Sequence, residues 1–243
     1  MNAVITAGAR VDGEFARRIG TPVKALASVG GRTLLAASIE AARQAGVTQL
    51  AVVGGSDVRD ACAGSVDAII DESESGAANL QRALHAWDDG APLLYMTSDL
   101  PFIGGAALRE FIEAAPPAAL ALPVTECSDF ERRFPGAPPF GIEIGGERIV
   151  NGSVFWIPAG AAPAVEDLAT RFFDARKSVT RMALLLGPSL CLQFALRRLT
   201  IAALEHQARR RLGIPAVAIR GASPDLAYDI DTLDEYTYAA KLA

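Results

Sequence analysis

The sequence predicts an α/β fold, a three-layer α/β/α sandwich around a mostly parallel sheet, and three observations carry that expectation. Short apolar runs alternate with amphipathic stretches through the first half of the chain. The first run, Ala3 to Thr6, meets a glycine turn at once. Of the 243 residues 51% are apolar, enough to bury one substantial core.

Taken in order, Ala3 to Thr6 reads as a core strand stopped by Ala7-Gly8 and followed by a long loop. Thr33 to Ala45 has the apolar spacing of an amphipathic helix, which Gly46 ends. Leu50 to Val53, Ala68 to Ile70, Leu93 to Met96 and Leu120 to Leu122 are too short for helices and read as strands. Gly76 to Trp87 and Gly104 to Ala115 read as helices between them, and such alternation builds a parallel sheet covered on both faces. From Pro123 to Ile157 the chain breaks into strand-like pieces at Pro135, Pro138, Pro139 and Gly145-Gly146, which predicts an inserted β-rich flap. Extra C-terminal helices follow at Val165 to Arg176, Val179 to Leu186 and Thr200 to Leu212; in the last, Ile201, Leu204, Ala208 and Leu212 share a face. Ala216 to Ile219 returns to the sheet. With no repeat and no long linker, residues 1–243 are expected to form one domain.

Charge and cysteine usage narrow the function. A net charge of -5 and a pI near 5.2 disfavour nucleic-acid binding, which needs clustered cations. Cys62, Cys127 and Cys191 are too scattered for a disulfide framework or a zinc site, and the N-terminus shows no secretory pattern, so a cytoplasmic setting is expected. Met182 to Leu196 is rich in Leu and Ala, but Gly187, Pro188 and Gln193 interrupt it well short of the roughly 20 apolar residues of a transmembrane segment. It reads as a buried or interfacial helical hairpin: core, a subunit contact that would make a homodimer, or the lining of a pocket for an acceptor with an apolar tail.

In open parallel sheets ligands bind beyond the carboxyl ends of the strands, so the loops after Thr6 and Met96 are expected to share a crevice. Those loops hold Thr6-Ala7-Gly8-Ala9-Arg10, closed by Pro22-Val23-Lys24-Ala25-Leu26, and Thr97-Ser98-Asp99-Leu100-Pro101-Phe102; Asp229-Ile230-Asp231-Thr232 lies near the C-terminus. Small residues let backbone N–H groups approach phosphates, Lys24 offers a cation to a triphosphate, and the aspartates offer oxygen ligands to a metal.

In this order the segments resemble the nucleotidyltransferase superfamily that includes molybdenum-cofactor guanylyltransferases and sugar-phosphate nucleotidylyltransferases. The resemblance covers nearly the whole chain. Its strongest parts are the strand-glycine start, Lys24-Ala25-Leu26 followed by Gly30-Gly31-Arg32-Thr33-Leu34-Leu35, and the apolar run entering Ser98-Asp99-Leu100-Pro101. It implies a Rossmann-like, GT-A-type fold that moves a nucleotidyl group from an NTP, with GTP or CTP favoured, to a small phosphorylated acceptor with loss of pyrophosphate. It also implies a nucleotide seated on Thr6, Ala7, Gly8 and Ala9 beside Ser98, with Lys24 against its phosphates and Asn79 near the base. Mg²⁺ would be held by Asp99 and Asp231, with Asp229 in reserve. Residues 1–122 would then be the NTP-binding half and 123–243 the acceptor-binding half. Here Ala9 and Arg10 follow Gly8 where the family has a second glycine and an arginine, and Lys24 comes later, so the loop is lengthened. Arg10, Arg17 and Arg18 compete for the arginine's role, Arg10 being nearest the glycine turn. Asn151, before Gly152, and Arg176 with Lys177 are candidates for acceptor recognition because they offer amide and cationic groups on the opposite side of the crevice.

Each of these residues also has a plainer reading. Gly8 can simply end a strand, Lys24 can be a solvated charge, and Asp99 before Leu100-Pro101 suits a turn. Asn79 lies where a helix start is capped, and Thr232 with Asp234-Glu235 resembles a capping box opening the last helix. His85 and His206 lack partners at ligand spacing, and Arg209-Arg210-Arg211 suits a solvated helix end near Gly213. A GT-A-type glycosyltransferase is the rival enzyme, although Thr97-Ser98-Asp99 lacks the first aspartate of its usual Asp-x-Asp motif. A nucleotide-binding regulator without turnover is the rival of another class.

Overall fold

The computed structural model describes residues 1–87, 89–175, 178, 181, 184–185 and 187–243. In chain order it runs β1 (Asn2–Thr6), α1 (Gly13–Ile19), a 3-10 turn (Lys24–Leu26), β2 (Ser28–Val29), β3 (Arg32–Thr33), α2 (Leu34–Gln44), β4 (Gln49–Gly54), α3 (Ser56–Cys62), β5 (Ala68–Asp71), α4 (Gly76–Leu84), β6 (Leu93–Thr97) and α5 (Gly105–Ala114). Then come β7 (Leu120–Glu126), α6 (Cys127–Arg133), β8 (Ile142–Ile144), β9 (Glu147–Asn151), β10 (Val154–Ile157), α7 (Ala162–Ala175), α8 (Pro188–Ala195), α9 (Ile201–Leu212), β11 (Ala216–Arg220) and α10 (Leu233–Leu242).

The main sheet has the order β5-β4-β1-β6-β10-β7-β9-β8, with β11 on the other side of β7. Strands β5, β4, β1 and β6 are mutually parallel, and β11 is parallel to β7. Both faces of the parallel part are apolar with the two-residue period of a strand. Ala3, Ile5, Leu50, Val52, Leu94 and Met96 face one core with α2 and α5, whereas Val4, Ala51, Val53 and Leu93 face the other with α4 and α7. Strands β4 and β5 lie to one side of β1 and β6 to the other. The chain thus reverses direction across the sheet between β1 and β6, and the loops beyond their ends diverge to leave a crevice.

Helix starts are fixed by side chains at the expected places. Thr33, Ser75 and Thr200 accept the N–H groups of Ala36, Ala78 and Ala203 at the heads of α2, α4 and α9. Three expectations are corrected. The long loop after β1 contains α1. The helix from Gly76 stops at Leu84 rather than Trp87, whose indole donates to the Ala3 carbonyl. The segment Pro123–Ile157 is only partly a flap: it contains α6, and β10 lies antiparallel inside the main sheet between β6 and β7. A run of four residues of which only Phe155 is not buried looks alike in a flap and in a sheet, so periodicity alone does not separate them.

Gly152 sits where β9 turns into β10. A Cβ there would lie 2.5 Å from the Leu226 carbonyl oxygen and 2.6 Å from Pro123, and the Gly152 N–H already donates to Pro123. Gly152→Ala should therefore lower the free energy of unfolding by about 1–3 kcal/mol, measured by urea denaturation, because the obstacle is backbone rather than a movable side chain.

Candidate active site

The loop after β1 leaves the sheet and returns to it. The Ala7 N–H donates to Val53, the Lys24 N–H to Ala9 at 3.0 Å and the Val11 N–H to Pro22 at 2.9 Å, while Arg10 bridges to Val23. The ends of the excursion are zipped together and α1 occupies its tip, so the lengthened loop still delivers Lys24 beside Ala9. On the neighbouring strand, the Ser98 N–H donates to the Thr6 carbonyl, and Asp99 follows at the mouth of the crevice.

Lys24 is the centre of the site. It is 6% exposed, and its Nζ lies 2.6 Å from Asp99 Oδ2 and 2.8 Å from Asp231 Oδ1. Burial alone would pull the ammonium below its ordinary pKa. The charges and hydrogen bonds of Asp99 and Asp231 outweigh that and hold it above. The carboxylates are not equivalent. Asp99 is enclosed with 13% of its side chain exposed, whereas Asp231 faces solvent at 70%.

Asp231 is delivered by a chain of backbone contacts. The Ile230 N–H donates to the Asp99 carbonyl, tying the C-terminal segment to the loop after β6. Glu235 accepts from the N–H groups of both Asp231 and Thr232, and Thr232 accepts from Glu235 in return. The capping box is thus real, and it fixes the backbone that carries Asp231. Beneath it Tyr228 is fully buried against Phe102, Phe130, Phe134 and Phe140.

Asp229 accepts from Ser153 Oγ at 3.1 Å. Its pKa is pushed up to about 6, first by burial and then by the charges of Asp99 and Asp231. Among the described residues no group of three or more His, Cys, Asp and Glu side chains is arranged as a ready-made metal cage. Asp99 Oδ1 is nevertheless buried without a hydrogen-bond partner. A small hard dication that takes one or two carboxylates and completes its shell with water and phosphate fits that donor set.

The other expected residues fall in two groups. Gly8 faces Asn79 and Glu72: a Cβ on it would stand 2.3 Å from Glu72 Oε2 and 3.4 Å from Asn79 Nδ2, so the backbone there is open to a close approach only because Gly8 has no side chain. Asn79 uses both ends of its amide on Ser73, accepting from the N–H at 2.6 Å and donating to the carbonyl at 3.1 Å, while Ser75 caps α4. Thr6 shares a hydrogen bond with Tyr95, and Ser98 is buried. Arg10 is ion-paired with Glu72, and Arg17 and Arg18 are exposed in the last turn of α1. Asn151 is exposed at the end of β9, two residues before Ser153. Arg176 and Lys177 lie outside the described residues. Sequence reasoning missed Glu72 and Ser153; the first directly follows a strand at the sheet's carboxyl edge, a position that would have flagged it.

A family model, the MobA-like NTP transferase domain, matches residues 3–212, a span that includes Lys24 and Asp99 and ends before Asp229. None of the curated proteins compared matches the chain. Among solved structures, a hypothetical transferase of Thermus thermophilus is similar with a TM-score of 0.84 and 26% identity, over 97% of this chain and all of that one. The Rv0371c protein of Mycobacterium tuberculosis in complex with manganese gives a TM-score of 0.55 and 19% identity, over 100% and 98%. CMP:2-keto-3-deoxy-manno-octonic acid synthetase complexed with CTP gives 0.57 and 15%, over 99% and 97%. The two less identical structures speak for the Rossmann-like α/β fold.

The raised pKa of Asp229 fixes a sign. The folded protein holds this proton more tightly than the unfolded chain, so the contribution of Asp229 is most favourable below about pH 4 and declines as pH rises through about 6. Asp229→Asn should therefore gain stability relative to the wild type by about 1–3 kcal/mol between pH 4 and pH 8 in metal-free buffer, read from paired urea titrations.

Proposed function

The chain belongs to the MobA-like NTP transferase domain family, and from that premise we propose that it transfers an NMP group from an NTP to a small phosphorylated acceptor, releasing pyrophosphate. The observation that carries the reading is the convergence of Lys24, Asp99 and Asp231 at the crevice between β1 and β6, next to the glycine turn of Gly8.

A phosphate oxygen of the acceptor attacks the α-phosphorus, the bond to the β-phosphate oxygen breaks, and pyrophosphate leaves with the electron pair. The protein's part is positioning and charge neutralisation. The loop of Thr6, Ala7, Gly8 and Ala9 offers backbone to the phosphates, with Ser98 at its flank. Lys24 bridges the enclosed Asp99 and the solvent-facing Asp231, and its ammonium is the cation offered to the triphosphate. A divalent ion, Mg²⁺ in this reading, would be held by Asp99 and Asp231 and would supply charge neutralisation on the phosphates. Arg10, freed from Glu72, is a second cation for the phosphates, and Asn79 borders the base, for which guanine and cytosine are favoured.

The N-terminal half, residues 1–122, binds the nucleotide and residues 123–243 the acceptor. Asn151 lies two residues before Ser153, which donates to Asp229, and this supports that division. The free cysteines suit a reducing compartment such as the cytoplasm.

The test is to incubate the protein with each NTP, Mg²⁺ or Mn²⁺, and a panel of sugar phosphates, polyol phosphates and molybdopterin, and to follow pyrophosphate. One NTP and acceptor pair should release it, and Asp99→Ala and Lys24→Ala should each lower kcat/KM by about 10²–10³-fold. Asp231→Ala, at the solvent-facing carboxylate, should chiefly raise the metal concentration required. Turnover unchanged in Asp99→Ala, or release of nucleoside diphosphate from a nucleotide sugar instead, would overturn the assignment.

A further inference from the structure

The Leu-rich stretch near the C-terminal helices has a composition unlike the rest of the chain. Between Arg181 and Gly213 stand six arginines and one acidic residue, Glu205, in a protein whose net charge is -5. Glu205 is turned inward and accepts from the Ala218 N–H at 2.8 Å. Among the described residues Arg181, Arg197, Arg198, Arg209 and Arg210 have no carboxylate partner, so this cationic charge is left to the surface.

The same stretch exposes its largest apolar side chains. Leu184, Leu192, Phe194 and Leu196 are 79%, 60%, 62% and 56% exposed. The described part of this stretch is nonetheless anchored. Leu190 and Leu199 are buried with Val124, Ile144 and Ile149 beneath the β8–β9 hairpin, and Arg211 donates to the Leu185 carbonyl. Between α8 and α9 lies an open cleft of about 600 Å³ lined by Leu190, Gln193, His206, Arg210 and Arg211. A second hollow is lined by Arg197, Phe194 and Leu199, with Glu143 as its one acidic side chain. The exposed face of this stretch thus carries both apolar side chains and arginines, with Leu190 beside Arg210 in one hollow and Phe194 beside Arg197 in the other.

No helix among the described residues is long and apolar enough to cross a membrane. We propose that this face seats on the surface of an anionic lipid bilayer. Leu184, Leu192, Phe194 and Leu196 enter the boundary between headgroups and acyl chains, the arginines meet lipid phosphates, and the cleft at Arg210 and Arg211 takes one of them. Charge complementarity selects this occupant. In a self-contact of two-fold symmetry the unpaired arginines would confront their own copies. A nucleic acid would leave three leucines without an apolar partner, whereas a bilayer of acidic lipids satisfies both features together.

The test is co-sedimentation of the full chain with phosphatidylcholine vesicles, with and without phosphatidylglycerol, in the absence of nucleotide, so that its outcome is separate from any transferase assay. Binding should require phosphatidylglycerol and weaken as salt is raised. It should fall about fivefold with each of Arg209→Gln and Arg210→Gln, and at least tenfold with the pair Leu192→Glu and Phe194→Glu. Because all four side chains are exposed, thermal unfolding of the variants should match the wild type. Equal sedimentation with neutral vesicles, none with either, or binding indifferent to the four substitutions would overturn the proposal. So would a dimer in light scattering that Leu192→Glu splits, or binding of single-stranded RNA in preference to the acidic vesicles.

Discussion

A lysine ammonium that is almost wholly removed from water costs the fold several kcal/mol unless opposite charge stands next to it, and Lys24 has two such neighbours within 3 Å. The surrounding architecture can be understood as the means of holding that balance. Lys24 comes back to Ala9 because the loop between them is closed by paired backbone hydrogen bonds. Asp99 comes from the end of β6 and Asp231 from a segment more than a hundred residues further on. Two carboxylates on one ammonium already leave a formal excess of one negative charge, and an ionised Asp229 beside them raises it to two. The upward shift of Asp229 comes first from its burial and then from that excess, for which a dication is the natural counter-charge.

Order in the sheet explains why these groups meet where they do. With β4 and β5 on one side of β1 and β6 on the other, the loops after Thr6 and Thr97 start from adjacent, registered residues and then separate. Backbone N–H groups of a glycine turn and a carboxylate then face each other across a gap fixed by strand pairing rather than by loop flexibility. Strand β10 strengthens the same edge from within, since its antiparallel pairing with β6 backs Met96 with Val154 and leads directly into the Gly152-Ser153 turn that touches Asp229.

Much of this was legible in the residues. The strand–helix rhythm and the core strands follow from apolar runs and turn residues, whereas the meeting of Lys24 with Asp99 and Asp231 was expected from the resemblance to the nucleotidyltransferase superfamily. Other features were not legible, for identifiable physical reasons. Helix α1 is short, has no fully buried residue and lies on a loop, so it leaves no apolar period to read. The placement of β10 in the sheet depends on non-local pairing, and its four residues look the same in either setting. The place of Glu72 directly after β5 was readable, but its opposition to Gly8 and its ion pair with Arg10 are purely tertiary. Thr232 with Asp234-Glu235 was readable as a helix cap, and the structure shows in addition that Glu235 accepts from the Asp231 N–H, so the cap braces Asp231.

The two sides of the charge cluster come from parts of the chain with different dependencies. Lys24 and Asp99 lie within the span matched by the family model, on loops attached to central strands of the sheet. Asp229 and Asp231 lie beyond it, and their position rests on Tyr228 filling an aromatic cluster with Phe102, Phe130, Phe134 and Phe140 and on the cap of α10. Phe102 itself follows Asp99 by three residues, so the same aromatic contact steadies both sides. A disturbance of the aromatic cluster would therefore reach the charges without touching them: Asp231 would lose its bearing, Lys24 would keep one carboxylate instead of two, and the desolvation of its ammonium would again oppose burial. The site is thus coupled to the docking of the C-terminal segment, and the polar centre and the aromatic support act as one unit.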